Sequence, residues 1–239
     1  MADVSGKDGV IFLGNKHLSG YFQDLSISRS KELADSSKFG ATSHSKLPLP
    51  MYQGRVVATG IYDGDASLVA ADVNTFFTDD DGDVMTVAPA GTTIGNEAFI
   101  MVGEAVNVNV SSVATDKTNF TLEAQSDGGT NGMARALWHK NFAAVTGVGS
   151  GTSIDNTASS ASGGEASVHA TAFTGTSVTP IIQHSVDNAA WVDLITFTAI
   201  SGGTSERRTV AGTVNRYTRE DHSTGAFTSA TYAAAFGRY

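Results

Sequence analysis

The stretch TFFTDDDGDVMTV, Thr75 to Val87, sets Asp79, Asp80, Asp81 and Asp83 within five positions. Clustered carboxylates suggest a hard cation, which takes oxygen ligands. A helix-loop-helix calcium loop needs Asp-x-Asp-x-Asp-Gly and a bidentate glutamate at position twelve. Asp79, Asp81 and Asp83 fit the first half of that pattern, but Val84 stands where the glycine must turn the chain and Ala90 where the glutamate must close the shell. That loop is excluded, and no metal is expected. A different oxygen geometry stays open, as does the plain alternative of a solvated polar turn.

The aspartates belong to a wider asymmetry. Between Arg55 and Lys117 lie ten acidic residues and no lysine or arginine, so this segment accounts for more than the whole net charge of −9. Carboxylates just beyond a helix C-terminus meet the negative end of the macrodipole, a cost of about 0.3 kcal/mol or more each when exposed. Local stability therefore does not explain them; surface potential or assembly does.

Other chemistry is poorly represented. There is no HExxH, no GxxxxGK[ST], no GxSxG and no GxGxxG between a strand and a helix. The six histidines are scattered singly, and His139 and His169 fall within strand patterns, where a hydrogen-bonded structural imidazole is expected. With no cysteine, thiolate metal sites, disulfides and cysteine nucleophiles are excluded together. The chain is expected to be no enzyme and to need no cofactor.

The elements that must position these residues are mostly strands. Low charge, 26 glycines, four prolines and abundant Thr, Ser, Val and Ala describe an all-β protein with many short turns. The absence of cysteine, of a signal-peptide pattern and of a long apolar run leads to the expectation of a soluble protein folded in a reducing cytoplasm. The acidic balance argues against gripping nucleic acid.

Strands are predicted at Gly9 to Leu13, Tyr21 to Ser28, Arg55 to Tyr62, Val84 to Ala88, Phe99 to Val110, through Phe120, Leu122 and Ala124, and at Ala134 to Phe142. In the Phe99 to Val110 strand, Val106, Val108 and Val110 alternate with polar residues, which predicts one wet face. Arg29 to Gln53 has no sustained period and reads as a long contact loop. One helix is predicted, capped by Asp65 and packing Ala66, Val69, Ala70, Val73 and Phe77 on a sheet. Residues 147–164, rich in Gly, Ser and Thr, read as a mobile loop or linker. The last third reads as strands around an Asp187-Asn188 turn, with Trp191 beside it and a locally basic set, Arg207, Arg208, Arg216 and Arg219, suited to subunit contacts.

Three groups of residues together resemble the major tail protein, or tail tube protein, of long-tailed bacteriophages. They are DLSISRSKELADSSKFGATSHSKLPLPMYQGRVVATGIYDG, then GGEASVHATAFTGTS with QHSVDNAAWVDLITFTA, then RRTVAGTVNRYTRE. The resemblance implies a β-sandwich or barrel with one packed helix, a single tail-tube domain over residues 1–239. It implies homohexameric rings stacked into a tube that carries DNA during ejection, without binding it specifically. Tape measure and tail terminator proteins are the implied partners, and the virion tail, assembled in the host cytoplasm, is the implied location. The segment 29–53 takes the place of the family's inter-ring loop, with Lys31, Glu32, Asp35, Lys38, Phe39 and Lys46 as its contact residues. Asp79, Asp80, Asp81 and Asp83 are then expected on the lumen, or at the rim against Arg207, Arg208, Arg216 or Arg219 of the next ring. The rival reading is a sugar-binding or adhesive β-sandwich on a virion surface, using Trp191.

Overall fold

The computed structural model describes residues 8–36, 46–62, 69–78, 82–112, 117–127 and 132–239. The chain is all-β with one short helix, and its strands form one antiparallel sheet that folds over itself.

The N-terminal half contains β1 (Val10–Leu13), β2 (Lys16–His17), β3 (Phe22–Asp35), β4 (Lys46–Ile61), helix α1 (Val69–Thr78), β5 (Asp83–Ala88), β6 (Glu97–Ser111) and β7 (Asn119–Ser126). Hydrogen bonding runs β3-β4-β7-β6-β5-β1-β2. Phe120, Leu122 and Ala124 point into a core with Ile11, Leu13, Val56, Ala58, Met85 and Met101, as their period of two requires. Helix α1 lays Val73 and Phe76 on that core, while Phe77 is half exposed, so the packed stripe follows the three-residue step from Val73 and not the four-residue step expected. Asp65, the expected cap, lies outside the described residues.

The C-terminal half adds β8 (Ala134–Val145), β9 (Ile154–Asp155), β10 (Gly164–Ser185), β11 (Val192–Thr196), β12 (Thr204–Val210) and β13 (Tyr217–Arg238). β13 is one continuous 22-residue strand. β10 and β13 pair over their whole length, with register shifts clustered around Gly175 and Gly225. A side chain at Gly175 would stand 2.4 Å from Phe227 Cα, so the close approach of the two strands at the bend requires glycine. The two sides of the bent ribbon enclose a second core of Val168, Val178, Ile182, Ile195, Phe197, Tyr232 and Phe236.

A third core joins the halves. Val10 and Phe12 leave the opposite face of β1 from Ile11 and Leu13 and meet Ile100, Trp138, Ala233 and Ala235. β1 is therefore buried on both faces, which suits its unbroken apolar run VIFL. Phe12 also stacks on His169, 5.2 Å between ring centres.

Residues 147–164 lie against the C-terminal half through backbone pairing. Gly151 N–H donates to Glu220 C=O at 2.8 Å, β9 pairs with Tyr217 and Thr218, and Ser160 bridges Val214. The segment orders by backbone pairing along β13, not by burying apolar side chains, so composition does not reveal it.

Candidate assembly interface

The described residues of the Arg29 to Gln53 segment, 29–36 and 46–53, belong to a two-stranded ribbon. β3 and β4 pair from Phe22↔Gly60 out to Asp35↔Lys46, whereas β7 accompanies β4 only from Arg55 to Ile61. Gly132 still meets the ribbon at Tyr52 and Gln53, and beyond Tyr52 no other strand accompanies it among the described residues, so it projects as an arm. Both of its faces meet solvent, which is why its hydrophobicity shows no period. Pro48 and Pro50 are tolerated because β4 has a strand on one side only there.

Of the expected contact residues, Lys31 donates to Tyr52 Oη at 3.2 Å across the ribbon and lies 4.9 Å from the centre of its ring. Glu32 lies on β3, and Asp35 and Lys46 form the last described pair. Lys38 and Phe39 lie outside the described residues. Leu33, which the sequence did not single out, is 54% exposed on this arm.

Asp79, Asp80 and Asp81 also lie outside the described residues. Asp83 opens β5 opposite Gly103 and is half-buried. Among the described residues no group of three histidine or carboxylate side chains is placed to hold a metal ion. Glu97, from the same acidic segment, pairs with Arg135. β6 runs on past β5 and β8, leaving Val106 and Val110 about half exposed, so the expected single wet face is wet on both sides at this end.

All four C-terminal arginines have partners within the chain. Arg207 pairs with buried Glu165, which also accepts from Tyr239 Oη at 2.6 Å. Arg208 pairs with Glu206, and Arg219 donates twice to Gln183 Oε1 at 3.0 and 2.8 Å while its guanidinium lies 4.2 Å from the centre of the Trp191 ring. Arg216 grips Asp155 with two hydrogen bonds, 2.7 and 2.6 Å. Those bonds, with the Thr157 N–H, pull the Asp155 carboxyl down to about 2. Within the chain these arginines tie elements of the C-terminal half together, and Arg208 and Arg216 remain nearly half exposed.

Sequence reasoning missed the groove beside the root of the arm. Two adjoining cavities, about 410 and 470 Å³, share Gly9, Gln23, Asp24 and Leu25 and are completed by Ile11, Phe22, Ile27 and Phe99 among others. They exist because β3 has a strand on one edge only among the described residues. An unpaired edge is a fact of topology, and the alternation of Gln23, Leu25 and Ile27 says nothing of it.

The sequence matches no family model and no curated protein. Among solved structures, a chain of the virion of a native gene transfer agent particle aligns at 15% identity over 53% of this chain and 96% of its own, with a TM-score of 0.42. The Dit protein of phage SPP1, described as a paradigm of the hub adsorption apparatus in phages infecting Gram-positive hosts, aligns at 13% identity over 97% and 99%, with a TM-score of 0.39. A chain of the phage p2 baseplate aligns at 7% identity over 97% and 98%, with a TM-score of 0.32. Superpositions this loose leave function to the chain's own arm and grooves.

Proposed function

We propose that the chain is a structural subunit of a bacteriophage tail that polymerises as stacked hexameric rings into the tube through which DNA leaves the virion. The projecting β3–β4 arm carries this reading. A two-stranded ribbon is marginal alone in water, and it is stabilised when a third strand or another surface covers it. The family resemblance supplies the ring and the tube. A conduit also suits the acidic segment between Arg55 and Lys117: a basic wall would hold phosphate through released counterions, whereas carboxylates avoid retaining DNA. The sugar-binding rival is less favoured, since the Arg219 guanidinium already covers a face of Trp191.

Negative-stain microscopy of the purified protein tests the proposal, together with a variant that removes the arm by joining Arg29 to Gly54, which pair across the ribbon, through Asn-Gly. The wild type is expected to give rings or tubes, and the variant a monomer with unchanged circular dichroism. A wild type that stays monomeric at every concentration, or a variant that assembles normally, would overturn it.

A further inference from the structure

The root of β3 and the arm at its far end are complementary surfaces on one chain. At the root, the outer edge of β3 from Phe22 to Ile27 carries no strand among the described residues and borders the groove floored by Ile11, Leu25, Ile27 and Phe99. Its rim is acidic. Asp24 is exposed there with no ion pair among the described residues, exposed Asp8 precedes Gly9 of the lining, and Glu97 is already matched by Arg135. At the arm, Arg29, Lys31 and Lys46 outnumber Asp35 among the described charged side chains, and Leu33 is 54% exposed. The β3–β4 register shifts between Lys31 and Leu33, so a bulge separates the basic and the apolar part of this edge.

Resting on the assembly reading above, we infer that the groove at the root of β3 is the docking site for the arm of a second copy of this chain. The arm's Ser30 to Asp35 edge adds as a strand to the free edge at Gln23 to Ile27. Main-chain hydrogen bonds supply affinity, and side-chain pockets set the register. Leu33 enters the groove beside Leu25 and Phe99, and Lys31 or Arg29 meets Asp24. Added in parallel, the strand makes a heterologous contact: each copy offers one arm and one groove, and repetition closes a ring or continues as a filament, whereas antiparallel addition would close a two-fold dimer. The same pairing covers the free edge of β3 at its root and along the arm, which otherwise invites uncontrolled strand addition.

The chain has no cysteine, so an engineered pair reports cleanly. Leu33→Cys and Leu25→Cys variants are mixed and oxidised under assembling conditions. The expected product is a disulfide-linked dimer from the mixture and none from either variant alone. Asp24→Lys should weaken self-association roughly tenfold or more, and Lys31→Glu on the partner should restore it. Rings or tubes that form without this cross-link would overturn the inference and leave the assembly reading standing. A wild type with no self-association would overturn both.

Discussion

Tyr232 donates its phenolic hydrogen to Glu220 Oε1 at 2.6 Å, and both side chains are fully buried. The residues are twelve apart on one strand, and twelve residues of straight strand span roughly 40 Å. They meet because β13 folds back between them. Glu220 also accepts from His222 Nδ1 at 3.1 Å. Lys140, its pKa lowered by burial and partly restored by Glu220, lies 5.1 Å from the centre of the Tyr232 ring. Burial and the adjacent carboxylate push the Tyr232 hydroxyl far above the usual phenol range, so it stays a donor at every pH at which the protein folds.

Tyr232→Phe removes that donor and leaves Glu220 under-satisfied in the core, at a cost of about 1–3 kcal/mol. For a chain of this size that lowers Tm by about 2–12 °C. Calorimetry checks it, and an unchanged Tm would show that the bond contributes nothing net.

Stability should fall with acid. His139 and His169 are fully buried, and desolvation, only partly opposed by backbone acceptors at Leu137 and Gly14, lowers both to about 4. Each carries its proton on Nδ1, facing a carbonyl, and accepts at Nε2 from Thr218 or Thr86. The folded pKa lies below the unfolded value of 6.5, so between pH 6.5 and 4 the unfolded chain binds the extra protons. Stability is then full above pH 6.5 and declines as pH drops through that window, by on the order of 3 kcal/mol per histidine. Urea unfolding at pH 7, 5.5 and 4 measures the slope, and His169→Gln should flatten it.

The parts of this fold legible in the sequence are those where one face is wet and the other buried. Phe120, Leu122 and Ala124 announced β7 because water and core alternate along it. The arm was illegible for the opposite reason: with solvent on both faces, Lys31, Leu33 and Asp35 follow no period. His139 and His169 were readable as structural because they stand among apolar strand neighbours. The arginines were not, since Arg207 finds Glu165 across 42 residues and Arg216 finds Asp155 across 61, pairings set by strand order. The groove at Asp24 depends on an edge of β3 that carries no strand among the described residues, which no local pattern encodes.

The ordering of residues 147–164 can be tested at its last turn. Gly163 has φ +75°, and a β-carbon there would lie 2.0 Å from Val210 C=O. Its N–H donates to Gly212 C=O at 2.7 Å, so the turn cannot simply move aside. Gly163→Ala should cost roughly 1–3 kcal/mol through strain in a sparsely populated backbone region. Gly147→Ala is the control, because nothing lies within 4 Å of the added carbon. Chemical denaturation should show a loss in the first variant alone.

Arg216 separates a fold-supporting arginine from an interface arginine. Its two bonds to Asp155 hold β9 against Tyr217 and Thr218, helped by Asn156 Nδ2, which donates to Arg216 C=O at 3.0 Å. Arg216→Gln should let the Asp155 carboxyl climb from about 2 back towards its ordinary 3.8, as side-chain NMR titration would show. The sign follows from the depressed folded value: the pair stabilises above about pH 3.8, and that contribution disappears as pH falls through 2. The pair is exposed, so the global effect is small and the local one decides. Hydrogen exchange at Ile154 to Asn156 should quicken, while rings or tubes still form because the arm is untouched. Loss of assembly with unchanged exchange across β9 would instead return Arg216 to a contact between subunits.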